Sequence, residues 1–120
     1  MQYLLLVYTD ESAGPTPGST EEEVMWVAHE EFTRHMTRAG RVVEGKALHP
    51  SDTATTVRRR EGAMYASDGP FEQTDEQLAG FYLIEADDLD EAIETAANVP
   101  CAAYGSIEVR PVVDISPKVQ

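Results

Sequence analysis

The chain predicts an α+β domain of the ferredoxin-like, split β-α-β type with an antiparallel sheet, and three observations lead there. Strand-like and helix-like stretches follow in the order strand, helix, strand, hairpin, strand, helix, strand. Two helices can cover only one face of such a sheet. Yet Tyr3 to Tyr8 and Phe81 to Ile84 are apolar on both faces, so the second face needs a cover of its own. Another copy of the chain is the simplest cover, and the expectation is a homodimer whose two sheets stack face to face.

Each element carries its own signal. Tyr3-Leu4-Leu5-Leu6-Val7-Tyr8 is a continuous apolar run of strand length. Asp10 to Gly18 holds two glycines and two prolines and is expected to be a loop. Ser19 or Thr20 opens the first helix, since Ser19 with Glu22 and Thr20 with Glu23 both have capping-box spacing. Met25, Ala28, His29, Phe32, Met36 and Ala39 recur at steps of three and four and predict one buried stripe. Gly40 is a C-terminal stop. Arg41 to Ala47 reads as a strand, and Thr53 to Arg60 and Ala63 to Ser67 as a hairpin turning at Glu61-Gly62. Asp68-Gly69-Pro70-Phe71 is a turn, with Asp68 expected to accept backbone N–H bonds across it. The strand Gly80 to Ala86 follows. Asp88, with Glu91 at the reciprocal position, caps a second helix reaching Asn98. Leu89, Ala92, Ile93, Ala96 and Ala97 are its expected apolar face. Ser106 to Arg110 is the last strand, and Pro111 ends its ladder or marks a sheet edge.

The totals narrow the function classes. A chain of 120 residues fits one domain over 1–114, with a loose tail over 115–120. Nine basic against 22 acidic residues give a net charge of -13, which repels phosphate backbones and anionic bilayers. No nucleic acid and no membrane partner is expected. The one cysteine, Cys101, allows no internal disulfide, and no signal peptide or apolar span is expected, so the expected location is the reducing cytoplasm.

Few residues carry chemistry. His29 sits mid-stripe, where it can act as a general base or serve as a core histidine bonded to backbone. Asp68 is either a turn residue or the acid partner of His29, and Glu72 stands beside the same turn. Tyr8 and Tyr82 fall on strands expected to be neighbours and can line a pocket, although core packing is the default. His29 and His35 are six residues apart and cannot chelate one metal from one helix face; neither metal nor cofactor is expected. Alternation sends Arg59 to the opposite face from Arg58 and Arg60, so the three make no basic patch. Cys101 follows Pro100 in an expected loop, with nothing nearby in sequence to lower its pKa.

The chain resembles the YCII-related family, and within it the branch named for its DGPF motif. The matching pieces are Asp68 to Glu72, Glu76 to Tyr82, Ala86 to Ala92 and Gly105 to Pro111, together with Tyr3 to Tyr8 and Ala54 to Arg58. The resemblance implies a dimeric α/β-barrel of two ferredoxin-like units. Related dimeric barrels include isomerases, monooxygenases and dechlorination-pathway enzymes acting on small molecules. It also implies a site built on a first-helix histidine, which falls at His29, and an aspartate. Members of the branch are often encoded near alternative sigma factors, which adds a regulatory reading. Where the branch often has a lysine after the motif this chain has Asp75, which puts binding of an anion there in doubt. Two functions follow. One is acid/base chemistry on a small molecule, with His29 and Asp68 as catalytic groups and Tyr8, Glu72 and Tyr82 near the ligand. The other is a non-catalytic ligand-binding or protein-interaction module.

Overall fold

A computed structural model of the chain describes residues 1–115. Of the tail expected to be loose, residues 116–120 lie outside the described residues. The strands are β1 (Gln2–Thr9), β2 (Val42–Ala47), β3 (Thr55–Arg60), β4 (Ala63–Asp68), β5 (Gln77–Glu85) and β6 (Ser106–Pro111). Helix α1 spans Thr20–Arg38 and α2 spans Leu89–Ala97. The fold is α+β: β2-β5-β1-β6 form an antiparallel four-stranded sheet, and β3-β4 form a separate hairpin. The crossover from β1 through α1 to β2 straddles β5, and the crossover from β5 through α2 to β6 straddles β1. This interleaving is the expected split β-α-β order.

Alternation along the central pair assigns the faces. Tyr3, Leu5 and Val7 of β1 and Tyr82 and Ile84 of β5 are buried beneath the helices, joined by Phe32 of α1 and by Ala92 and Ala96 of α2. Leu4, Leu6, Phe81 and Leu83 point to the other face and are only half-buried, with no helix over them. Leu5 and Ile84 expose none of their surface. Each such side chain contributes roughly 2–3 kcal/mol through burial.

The caps form as their residue types require. The Ser19 hydroxyl accepts from the Glu22 N–H at 3.2 Å, and the Glu22 carboxylate accepts from the N–H of Gly18, one residue before the cap. Asp88 accepts from the Glu91 N–H at 2.9 Å, and Glu91 accepts from the Asp87 N–H. Glu61 and Gly62 both take positive φ, 51° and 79°, as a tight hairpin turn between right-twisted strands requires.

Three expectations are corrected. Only Phe32 of the α1 stripe is buried; Met25, Ala28, His29 and Met36 are half-buried, and Met25 and His29 stand over a cavity. The buried face of α2 is Ala92, Thr95 and Ala96, while Leu89 and Ile93 are exposed. Small residues let α2 lie close on β6, and the bulky ones are turned outward. The turn after β4 is held by a backbone bond and the Thr56 hydroxyl rather than by the Asp68 carboxylate: the Gly69 N–H donates to Ala54 O, and the Thr56 hydroxyl donates to Gly69 O.

The hairpin stands away from the sheet. All six residues of β4 are exposed, among them Met64 and Tyr65, as is Val57 of β3. The radius of gyration is 16.6 Å, against about 14 Å for a compact chain of this length.

Truncating Leu5 to Ala is expected to cost about 3–4 kcal/mol in chemical unfolding. Ile93→Ser is expected to change stability by no more than about 0.5 kcal/mol. Equal losses would contradict the outward placement of Ile93.

Candidate functional site

A cavity of about 550 Å³ opens between the N-terminal half of α1 and the sheet. That volume suits a small organic molecule. Its floor is Val7, Gly45, Ala47 and Tyr82, its roof Met25, Trp26 and His29 of α1, and its end wall Cys101 and Tyr104. The end wall belongs to the 3-10 turn Pro100–Ala103 and the residue that caps it. In a 3-10 turn residues three apart stack, so Cys101 and Tyr104 present their side chains together.

Four side chains form one hydrogen-bonded chain along this wall. His29 Nδ1 lies 3.1 Å from the Tyr82 hydroxyl, and His29 Nε2 lies 3.0 Å from Cys101 Sγ. Cys101 Sγ lies 3.3 Å from the Tyr104 hydroxyl. Burial pushes the Cys101 thiol up, against the lowering effect of the Tyr104 hydroxyl, and pushes the His29 imidazole below its ordinary value of 6.5. Burial also raises Tyr82, and burial with the Cys101 contact raises Tyr104 to about 12. The resting groups are therefore neutral: a thiol, an imidazole and two phenols. A protonated thiol donates best to the imidazole, which makes Nε2 the acceptor and leaves the ring proton on Nδ1, donated to Tyr82.

Tyr82 is held from both sides. Phe32 meets its ring edge-on at 5.1 Å between centroids. On the strand side Gly45 lies opposite it in register, and a Cβ there would come within 2.6 Å of the Tyr82 ring. The absence of a side chain at Gly45 thus makes room for the ring that carries the hydroxyl to His29.

The charged groups at the cavity are already engaged. Arg34 pairs with Glu30 at 2.5 Å, Lys46 with Glu44 at 3.9 Å, and Glu11 accepts from the N–H and hydroxyl of Ser51. Among the described residues no three His, Cys, Asp or Glu side chains converge as metal ligands, and no helix is long and apolar enough to cross a membrane.

Of the residues expected at a site, the structure brings His29 and Tyr82 together. Tyr8 lies on the opposite face of the sheet, where its hydroxyl donates to Glu108 at 3.4 Å. Asp68 ends the outlying hairpin, Glu72 is exposed just beyond it, and neither lines the cavity. Cys101 and Tyr104 were not foreseen as partners of His29, because 72 residues separate Cys101 from it.

A family model for the YCII-related domain matches residues 1–116. The chain belongs to the YCII-related family. A relative from Rhizobium meliloti (strain 1021), described as an uncharacterised protein, is 38% identical over 113 residues, covering 92% of this chain and 91% of its own length. These likenesses show a YCII-related domain and assign it no reaction.

Two measurements check the site of this YCII-related protein. NMR titration of His29 is expected to give a pKa below 6.5. As pH falls through 6.5 the unfolded chain takes up a proton that folded His29 refuses, so stability falls until the lower folded value is passed. His29→Gln is expected to flatten that slope. Gly45→Ala is expected to cost about 1–3 kcal/mol and to shift the His29 ring resonances by displacing Tyr82; unchanged resonances would contradict the fit.

Proposed function

We propose that the protein binds an organic small molecule in the α1–sheet cavity and carries out acid/base chemistry on it. The observation that carries this reading is the central place of His29 in a chain of proton-bearing side chains on the cavity wall. A neutral imidazole is the form that accepts a proton at neutral pH. His29 is the base through Nε2, and Tyr82 accepts the Nδ1 proton and so fixes the tautomer and orientation of the ring. The other candidates, Asp68, Glu72 and Tyr8, stand outside the cavity within one copy, so the chemistry rests on His29 and Tyr82. The Asp68-Gly69-Pro70-Phe71 turn supports placing the chain in the DGPF branch of its family.

The same proposal makes the working unit a homodimer. Leu4, Leu6, Phe81 and Leu83 form an apolar sheet face that neither helix covers, and the hairpin carries exposed Val57, Met64 and Tyr65. Stacking a second sheet on that face would bury it and complete a barrel.

A second reading, a non-catalytic ligand-binding or protein-interaction module, is favoured by one observation. Both ring nitrogens of His29 already have side-chain partners, as in a structural tie.

Thermal-shift screening against a broad metabolite set tests the first reading. A ligand at about 100 times its Kd is expected to stabilise the protein by about 2.7 kcal/mol. His29→Gln, still folded, is expected to lose that response, and the hits name the substrates to assay. Ligand binding that His29→Gln leaves intact, with no turnover of any hit, would favour the module. Light scattering is expected to give twice the chain mass of 13.2 kDa, and Leu6→Asp to return it to one chain. A wild-type monomer would remove the barrel.

A further inference from the structure

We propose that Cys101 is a nucleophile and that the cavity accepts an uncharged acyl compound, an activated ester, for transfer of its acyl group to Cys101 Sγ and then to water. This rests on the cavity being the site proposed above and deepens it by naming the attacking atom and the substrate class. Three geometric observations carry it. Cys101 is one of the residues lining the cavity, and its Sγ lies 3.0 Å from His29 Nε2, the distance at which an imidazole takes a thiol proton as sulfur attacks. The third group that orients the base is present too, since the Tyr82 hydroxyl at 3.1 Å fixes the Nδ1 side of the ring. The Tyr104 hydroxyl lies 3.3 Å from the same sulfur, beside any oxygen on the carbon that sulfur attacks.

The steps balance without a co-reactant other than water. The Sγ electron pair forms a bond to the carbonyl carbon while the S–H proton passes to His29 Nε2. The carbonyl π pair moves onto oxygen, where Tyr104 donates a hydrogen bond. When the carbonyl reforms, the alkoxide or phenoxide leaves and takes the proton from His29. Water then gives a proton to Nε2 and adds to the thioester. Sulfur departs and recovers the proton, leaving a carboxylic acid. The neutral resting pair needs no thiolate, because the base acts during attack.

The rim explains why the acyl compound is uncharged. Arg34 and Lys46 are matched by Glu30 and Glu44, and the net charge of -13 disfavours anions. Val7, Met25 and Trp26 offer the acyl chain apolar contact.

The test is rapid mixing of the wild-type protein with p-nitrophenyl hexanoate, followed by acid quench and peptide mass mapping. The expected result is a burst of about one p-nitrophenolate per chain, with the hexanoyl mass on the peptide containing Cys101. His29→Gln is expected to slow the burst by at least about 100-fold. Tyr82→Phe is expected to slow it and to move its pH midpoint, which a merely structural role would leave in place. Cys101→Ser keeps the shape of the wall and is expected to lose the burst. Acylation confined to lysines, no burst, or a wild-type rate in His29→Gln would overturn the proposal. If the burst fails while His29-dependent ligand stabilisation persists, the nucleophile is wrong and the small-molecule site stands. If both fail, the two readings fall together.

Discussion

Leu5 and Ile84 have no exposed surface, and they sit at the centre of the sheet because β1 pairs with β5 in one register. A slip of β5 by one residue against β1 would turn Phe81 and Leu83 inward and carry Tyr82 to the open face. The Tyr82 hydroxyl would leave His29, and the cavity floor would lose its ring. The register of this central pair therefore decides the core and the cavity together. The uncovered apolar face follows from the same choice, since each strand has apolar residues at both parities and two helices close only one side.

The cavity arises from uneven helix packing. Phe32 anchors the middle of α1 to the Tyr82 ring, while the half-buried Met25 and His29 stand over space. That arrangement leaves His29 partly desolvated but reachable from the cavity. Complete burial would hide it, and full exposure would return it to an ordinary solvent pKa. The position of Cys101 has a separate origin. Pro100 starts a 3-10 turn straight after α2, and that turn folds back to close the cavity end. A base on α1 and a thiol beyond α2 meet only because both helices lie on the same face.

The strands, both helices and their caps were legible because their causes are local. Ser19 with Glu22 and Asp88 with Glu91 bond within one turn, and the Glu61-Gly62 hairpin needs only its own φ angles. His29 stood out as a titratable group inside an apolar stripe, and Tyr82 as a hydroxyl in an apolar strand. The orientation of α2 was less legible. Leu89 and Ile93 look like a core face, yet the sheet selects the small residues Ala92 and Ala96 for close approach. Asp68 looked like a partner for His29 because a carboxylate beside a tight turn is a common site feature, but β4 carries it out along the hairpin.

By itself, then, the sequence determined the order of elements, the apolar double face of β1 and β5, and the acidic charge that disfavours anionic partners. Those properties depend on neighbours within a few residues or on simple sums. The tertiary structure decided which face Tyr82 occupies, which residues line the cavity, and that His29 meets Cys101 rather than a carboxylate. These are contacts across 53 and 72 residues of chain. They are set by strand register and by the seating of two helices on one sheet face, which no local spacing encodes.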